Sequence, residues 1–82
     1  MTTQQPTRRG PYRVYSAASL GDAIRHYRQR AGLTQAQLAE LTGIRRSYLS
    51  ELESGKETEQ LARVLRVLRQ LGVRMSVEEA DW

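Results

Sequence analysis

Apolar residues recur along the chain in two rhythms. Between positions 16 and 31, Leu20, Ile24 and Tyr27 stand at i, i+4 and i+7, the stripe of an amphipathic helix. Ser16 or Ser19 opens that helix and Gly32 stops it, because glycine readily takes positive φ. Thr34-Gln35-Ala36-Gln37 is a T-x-x-Q capping box that starts a second helix running through Leu41, with Gly43 as its end. A third helix is predicted from about Arg45 to Glu53, with Leu49 and Leu52 facing inward and Gly55 closing it. Thr58 caps a fourth, with Glu57 and Glu59 at its positive end and Leu61, Val64, Leu65, Leu68 and Leu71 as its buried face; Gly72 is its stop.

The period changes to two at the edges of this helical block. Val73, Met75 and Val77 alternate with Arg74 and Ser76, which is a strand pattern. "YRVYS" (12–16) alternates briefly and is read as a second short strand. Residues 1–11 have no periodicity and read as a flexible basic arm; residues 78–82, "EEADW", form an acidic tail. The expected organisation is one domain, 12–77, between two tails.

The connection between the second and third helices is the most informative feature. A three-residue turn containing Gly43 is too short for a bundle hairpin and forces a crossing nearer ~90–120°, the helix-turn-helix geometry. Ala39 supplies the small residue such a crossing needs, and Arg46, Ser47, Ser50 and Glu51 supply a polar outer face. Two adjacent arginines, Arg45 and Arg46, sit at the front of the third helix, where the helix's own positive end disfavours bases. They either solubilise an exposed turn or await a polyanion, to which the helix end also contributes.

Charge strengthens the second reading. The 82 residues carry net charge +4, with pI ≈ 10.1. Residues 1–30 hold six Arg against the single acid Asp22, whereas "EEADW" holds three acids and no base, so one end suits DNA and the other is repelled by it. There is no Cys, hence no disulfide framework and no thiolate metal site. No apolar run spans a membrane and no signal core is present, so the expected location is cytoplasmic. His26 stands alone and reads as a surface or packing residue. Gly55-Lys56 is not a phosphate loop, which would need another Gly where Ser50 stands. Arg63, Arg66 and Arg69 read as a solvated face. Nothing here points to an enzyme or a cofactor.

The stretch "LTQAQLAELTGIRRSYLSELESGK" (33–56) resembles the XRE/Cro-like helix-turn-helix family in Thr34-Gln35, Ala39, Gly43, Leu49, Leu52-Glu53 and Gly55-Lys56. The resemblance implies an all-α domain of four to five helices, binding double-stranded operator DNA, with the third helix in the major groove. It assigns Arg46 and Ser47 to base edges, and Arg45, Ser54 and Lys56 to phosphates. Gln35 would bind a phosphate or brace the third helix. Ser50 lies on the DNA-facing side. Glu51 would accept from a cytosine N4 or form a salt bridge. Tyr48 would touch a thymine methyl or the backbone, or be half-buried.

A lone C-terminal strand must find a partner. Residues 12–15 could serve, or the same strand of a second subunit, with Leu68, Leu71, Val73, Met75 and Val77 building a homodimer interface. The helix-to-strand ending from Leu68 to Val77, the acidic tail and Trp82 are similar to HipB-like antitoxins of type II toxin–antitoxin pairs. That resemblance implies an intersubunit strand pairing, repression of its own operon, and neutralisation of a HipA-like serine/threonine kinase toxin, with Trp82 as a toxin contact. The alternatives are a tail that folds back on its own dimer, and a stand-alone XRE-family regulator with no toxin partner. Arg8, Arg9 and Arg13 depart from the family pattern and would add minor-groove or phosphate contacts, or none.

Overall fold

The computed structural model describes residues 12–81. The expected arm, 1–11, and Trp82 lie outside the described residues. Four helices form the body: α1 (Ala17–Arg30), α2 (Gln35–Thr42), α3 (Arg46–Glu53) and α4 (Glu59–Leu71). Two short strands, β1 (Tyr12–Val14) and β2 (Met75–Val77), bring the two ends of the domain together.

Helix boundaries follow local chemistry. Ser16 caps α1: its hydroxyl accepts from Ser19 N at 3.1 Å, while Ser19 Oγ accepts from Ser16 N at 3.0 Å. This is a reciprocal capping box with Ser where Glu or Gln usually stands. Thr34 and Gln37 make the predicted box at α2, through bonds of 3.0 and 2.8 Å. Thr58 caps α4 at 3.2 Å from Leu61 N. Gly43 and Gly72 end α2 and α4 in the left-handed region, each at φ 74°.

The strands pair with each other, antiparallel, with Tyr12 opposite Val77 and Val14 opposite Met75. Of the two partners open to β2, the one within its own chain is the one it takes. The two-stranded sheet leaves the other edge of β2 without a strand among the described residues, so pairing with β1 does not use up the edge at which the expected homodimer pairing would form. Val14 is buried, so β1 also seals the core between α1 and α4.

The core is small: Val14, Ala17, Ala23, Ala39, Leu49 and Leu65 are its buried apolar residues. Small side chains let the helices approach. At Gly21 a β-carbon would lie 2.5 Å from Leu52 O and 2.8 Å from Glu53 O, so α1 meets the end of α3 backbone to side-chain-free backbone. One sequence expectation is corrected at α4. Only Leu65 is fully buried and Leu61 and Leu68 are half-buried; Val64 and Leu71 face solvent, as does Val67. A domain this small has too little neighbouring mass to cover a five-residue face.

Candidate nucleic-acid interface

Within the α2–turn–α3 unit, Gly43 N and Ile44 N both donate to Ala39 O, at 2.9 and 3.2 Å, which tightens the turn over the buried Ala39. Leu49 is buried and pins α3 inward. The opposite side of α3 and its flanks carry Arg45, Arg46, Ser47, Tyr48, Ser50, Glu51, Ser54 and Lys56, all exposed. The eight residues assigned to DNA on or beside α3 are therefore all open to solvent.

The front of α3 differs from those of the other helices. Its N-cap residue is Arg45, in extended backbone, and no side chain caps it. The first amides of α3 are left to solvent or to an anion. No carboxylate among the described residues pairs with Arg45 or Arg46. Uncapped amides plus two unpaired guanidinium groups form a compact site of positive potential at the tip of the helix.

Behind this surface lies a buried charge that sequence reasoning did not assign. The Glu53 side chain is 0% exposed. Arg28 grips it bidentately, Nε to Oε2 at 2.6 Å and Nη2 to Oε1 at 3.0 Å, and also donates from Nη1 to Leu33 O at 2.7 Å. Gln35 Nε2 donates to Glu53 Oε1 at 3.0 Å, and Arg25 Nε lies 3.7 Å away. One carboxylate thus ties together α1, the α1–α2 turn, α2 and α3. The hydrogen bond from Arg28 holds the Glu53 carboxyl below the usual carboxylate range; burial opposes this, and Gln35 and the guanidinium charges reinforce it. The same bond raises Arg28. Of the two roles open to Gln35, the structure shows the brace. The missed signal was the pairing of Arg28, near the end of α1, with the Glu of "LESG".

Three further positions change in detail. Ser54 Oγ donates to Glu51 O at 2.8 Å, so its hydroxyl proton is already used within the helix end. Glu51 lies 3.4 Å from Lys56 Nζ, the salt-bridge alternative, with both groups more than half exposed. Such a pair is weak enough to open on DNA. Tyr48 is half out of solvent, above a cavity of about 250 Å³ shared with Leu20, Leu52, Leu61 and Val64.

Residues 24–77 match the helix-turn-helix family model HTH_3. The chain belongs to this helix-turn-helix family. An HTH-type transcriptional regulator, y4mF, of Sinorhizobium fredii is 34% identical over 65 residues, 79% of this chain and 86% of the relative. Antitoxin HipB of Escherichia coli K12 is 29% identical over 68 residues, 83% of this chain and 77% of the antitoxin. An HTH-type transcriptional regulator of Methanothermobacter thermautotrophicus is 41% identical over 49 residues, 60% of this chain and 71% of its own length. No solved structure matches the chain significantly. The chain is a DNA-binding helix-turn-helix transcriptional regulator.

The remaining candidate residues of this helix-turn-helix regulator fall away from α3. Leu71, at 68% exposure, and Val73 face solvent, while Leu68, Met75 and Val77 are half-buried. Val67 and Val64, four and seven residues before Leu71, extend the apolar surface of α4. His26 is a packing residue: its ring lies 4.8 Å from that of Tyr12 and 4.9 Å from that of Tyr27, and its buried Nε2 has no partner among the described residues. Arg63 pairs with Glu59 one turn back, at 2.8 Å, and Arg69 Nη1 reaches Tyr15 O at 3.4 Å. Among the described residues no three His, Cys, Asp or Glu groups stand together, and no helix is long and apolar enough to cross a membrane.

Proposed function

We propose that this regulator is a dimeric antitoxin that represses its own operon and neutralises a HipA-like serine/threonine kinase toxin. The observation that carries the DNA half is the uncapped, doubly basic front of α3 on a rigid, Glu53-anchored unit. In this reading Arg46 and Ser47 read base edges, with Ser50 and Glu51 beside them, while Arg45, Ser54 and Lys56 hold phosphates. Tyr48 contributes at the margin, and Gln35 acts through Glu53. Two copies joined through the α4 face and β2 would present two such helices to half-sites ~10 bp apart.

The antitoxin half is supported by the likeness to antitoxin HipB over 83% of this chain, together with the acidic stretch after β2 that leads to Trp82. Trp82 is the residue proposed to contact the kinase, where one aromatic anchor can contribute about 2 kcal/mol or more. The likeness to regulator y4mF supports a second reading, a stand-alone regulator without a toxin.

Affinity capture from the native host, with the full chain and with residues 1–77 as baits, separates the two. The captured partner is identified by mass and assayed for kinase activity with and without added regulator. A kinase that is retained and inhibited by the full chain supports the antitoxin; no stoichiometric partner on either bait leaves the stand-alone regulator.

A further inference from the structure

Between the β hairpin and the end of α4 lies a hollow of about 380 Å³ whose lining includes Arg13, Arg69 and Arg74 and no acid. Strand register places two of these arginines. Arg13 stands opposite Ser76, and both are exposed while Val14 and Met75 turn inward. Arg74, also exposed, falls diagonal to Arg13 on that outer face, at a separation of ~7–8 Å. Arg69 comes from the last turn of α4 and donates from Nη1 to Tyr15 O at 3.4 Å. None of the three meets a carboxylate among the described residues, whereas Arg28, Arg30 and Arg63 each do. Guanidinium forks match phosphate oxygens bidentately, and an anion held among them offsets their mutual repulsion.

Tyr15 lines the same hollow with 68% of its surface in water. An exposed ring beside clustered arginines offers a platform on which a base can stack. The hollow stands apart from the surfaces described above. None of the residues assigned to DNA lines it, and of those assigned to the dimer only Val73 does. α4 meets α3 near its beginning, where Leu61 and Val64 share a cavity with Tyr48 and Glu51; Arg69 lies ~12 Å further along the axis than Leu61. Around α4, Arg69 stands ~140–160° from Val64, Val67 and Leu71.

We propose that this hollow binds a free nucleoside di- or triphosphate, with Arg13, Arg69 and Arg74 on the phosphates and the Tyr15 ring against the base. Concavity and distance from α3 favour a small ligand over the backbone of duplex DNA. The proposal rests on neither the operator nor the toxin reading.

Isothermal titration calorimetry of the full chain with ATP and with inorganic tripolyphosphate, in ~0.15 M salt, tests this. Saturable, equimolar binding of both is expected, with ATP the tighter. Arg13→Ala, Arg69→Ala and Arg74→Ala should each weaken both ligands about tenfold, with circular dichroism confirming that each chain is folded. Tyr15→Ala should weaken ATP about fivefold and leave tripolyphosphate unchanged. Arg45→Ala with Arg46→Ala should leave both ligands unchanged. Absence of ATP binding by the wild type overturns the site, as does binding that the α3 double variant abolishes or that Arg13→Ala and Arg74→Ala leave intact. Arginine variants that weaken only random-sequence duplex DNA would make the hollow a backbone contact and overturn it too. Tyr15→Ala without effect on ATP overturns the nucleotide in favour of a bare polyphosphate.

Discussion

Arg28 and Glu53, twenty-five residues apart, form a bidentate ion pair at 2.6 and 3.0 Å with the carboxylate fully out of solvent. With Gln35, this pair ties α1 and α2 to α3 and fixes the position of α3. Burying a charge is unfavourable unless it is fully partnered, and Arg28, Gln35 and Arg25 together partner this one. The position of the exposed α3 surface therefore depends on a contact buried behind it.

Removing one member should be severe. Glu53→Ala is expected to destabilise by about 3–5 kcal/mol, since it strands the buried guanidinium of Arg28. A double variant, Arg28→Met with Glu53→Leu, should recover much of that loss. Urea denaturation of the three chains checks both statements; equal losses in the single and double variants would contradict them.

The same pair sets an acid sensitivity. Glu53 has a lowered pKa in the folded chain, chiefly through the hydrogen bond from Arg28. The unfolded chain therefore binds the proton more tightly. The contribution of Glu53 to stability is complete above the ordinary glutamate pKa of about 4.3 and fades as pH falls through the depressed folded value. Thermal midpoints measured across acid pH should fall more steeply for wild type than for Glu53→Gln, which starts lower and has no proton to bind.

Close approach at Gly21 should be intolerant. Gly21→Ala gains helix propensity but places a β-carbon 2.5 Å from Leu52 O, a backbone atom. Overpacking of this kind typically costs about 1–3 kcal/mol. Calorimetry should show a lower midpoint than wild type, and a raised midpoint would mean that α1 and α3 can separate freely.

On the α3 surface the two arginines should separate by role. Arg46→Ala should cost about 1–3 kcal/mol on the cognate operator and relax discrimination at one base position. Arg45→Ala should weaken all sequences alike and reduce the salt slope by about 1. If the dimer contacts about six phosphates, log K against log salt should have a slope near −5, measured by fluorescence anisotropy over a salt series. A slope near zero would remove the DNA role.

The exposed residues of α4 should act in assembly. Val67→Glu with Leu71→Glu is expected to halve the mass seen by sedimentation while leaving helix content unchanged, because both side chains face solvent in the single chain. Unchanged mass would place the dimer contact elsewhere.

Much of this protein was legible along the chain because capping and turn chemistry act over three or four residues. Ser16, Thr34 and Thr58 mark helix starts, Gly43 and Gly72 mark ends, and the alternation at Val73–Val77 marks a strand without reference to anything distant. The helix-turn-helix and the polar face of α3 follow from that local order. What tertiary structure alone decided are the choices among partners far apart in sequence. Within the chain β2 takes β1, Gln35 takes Glu53, Glu51 takes Lys56, and Val64 and Leu71 stay in solvent. Periodicity states which face of a helix is apolar, but burial depends on how much neighbouring mass arrives there, and a hydrogen bond on which group the fold brings within 3 Å; neither quantity is written in any local window of residues.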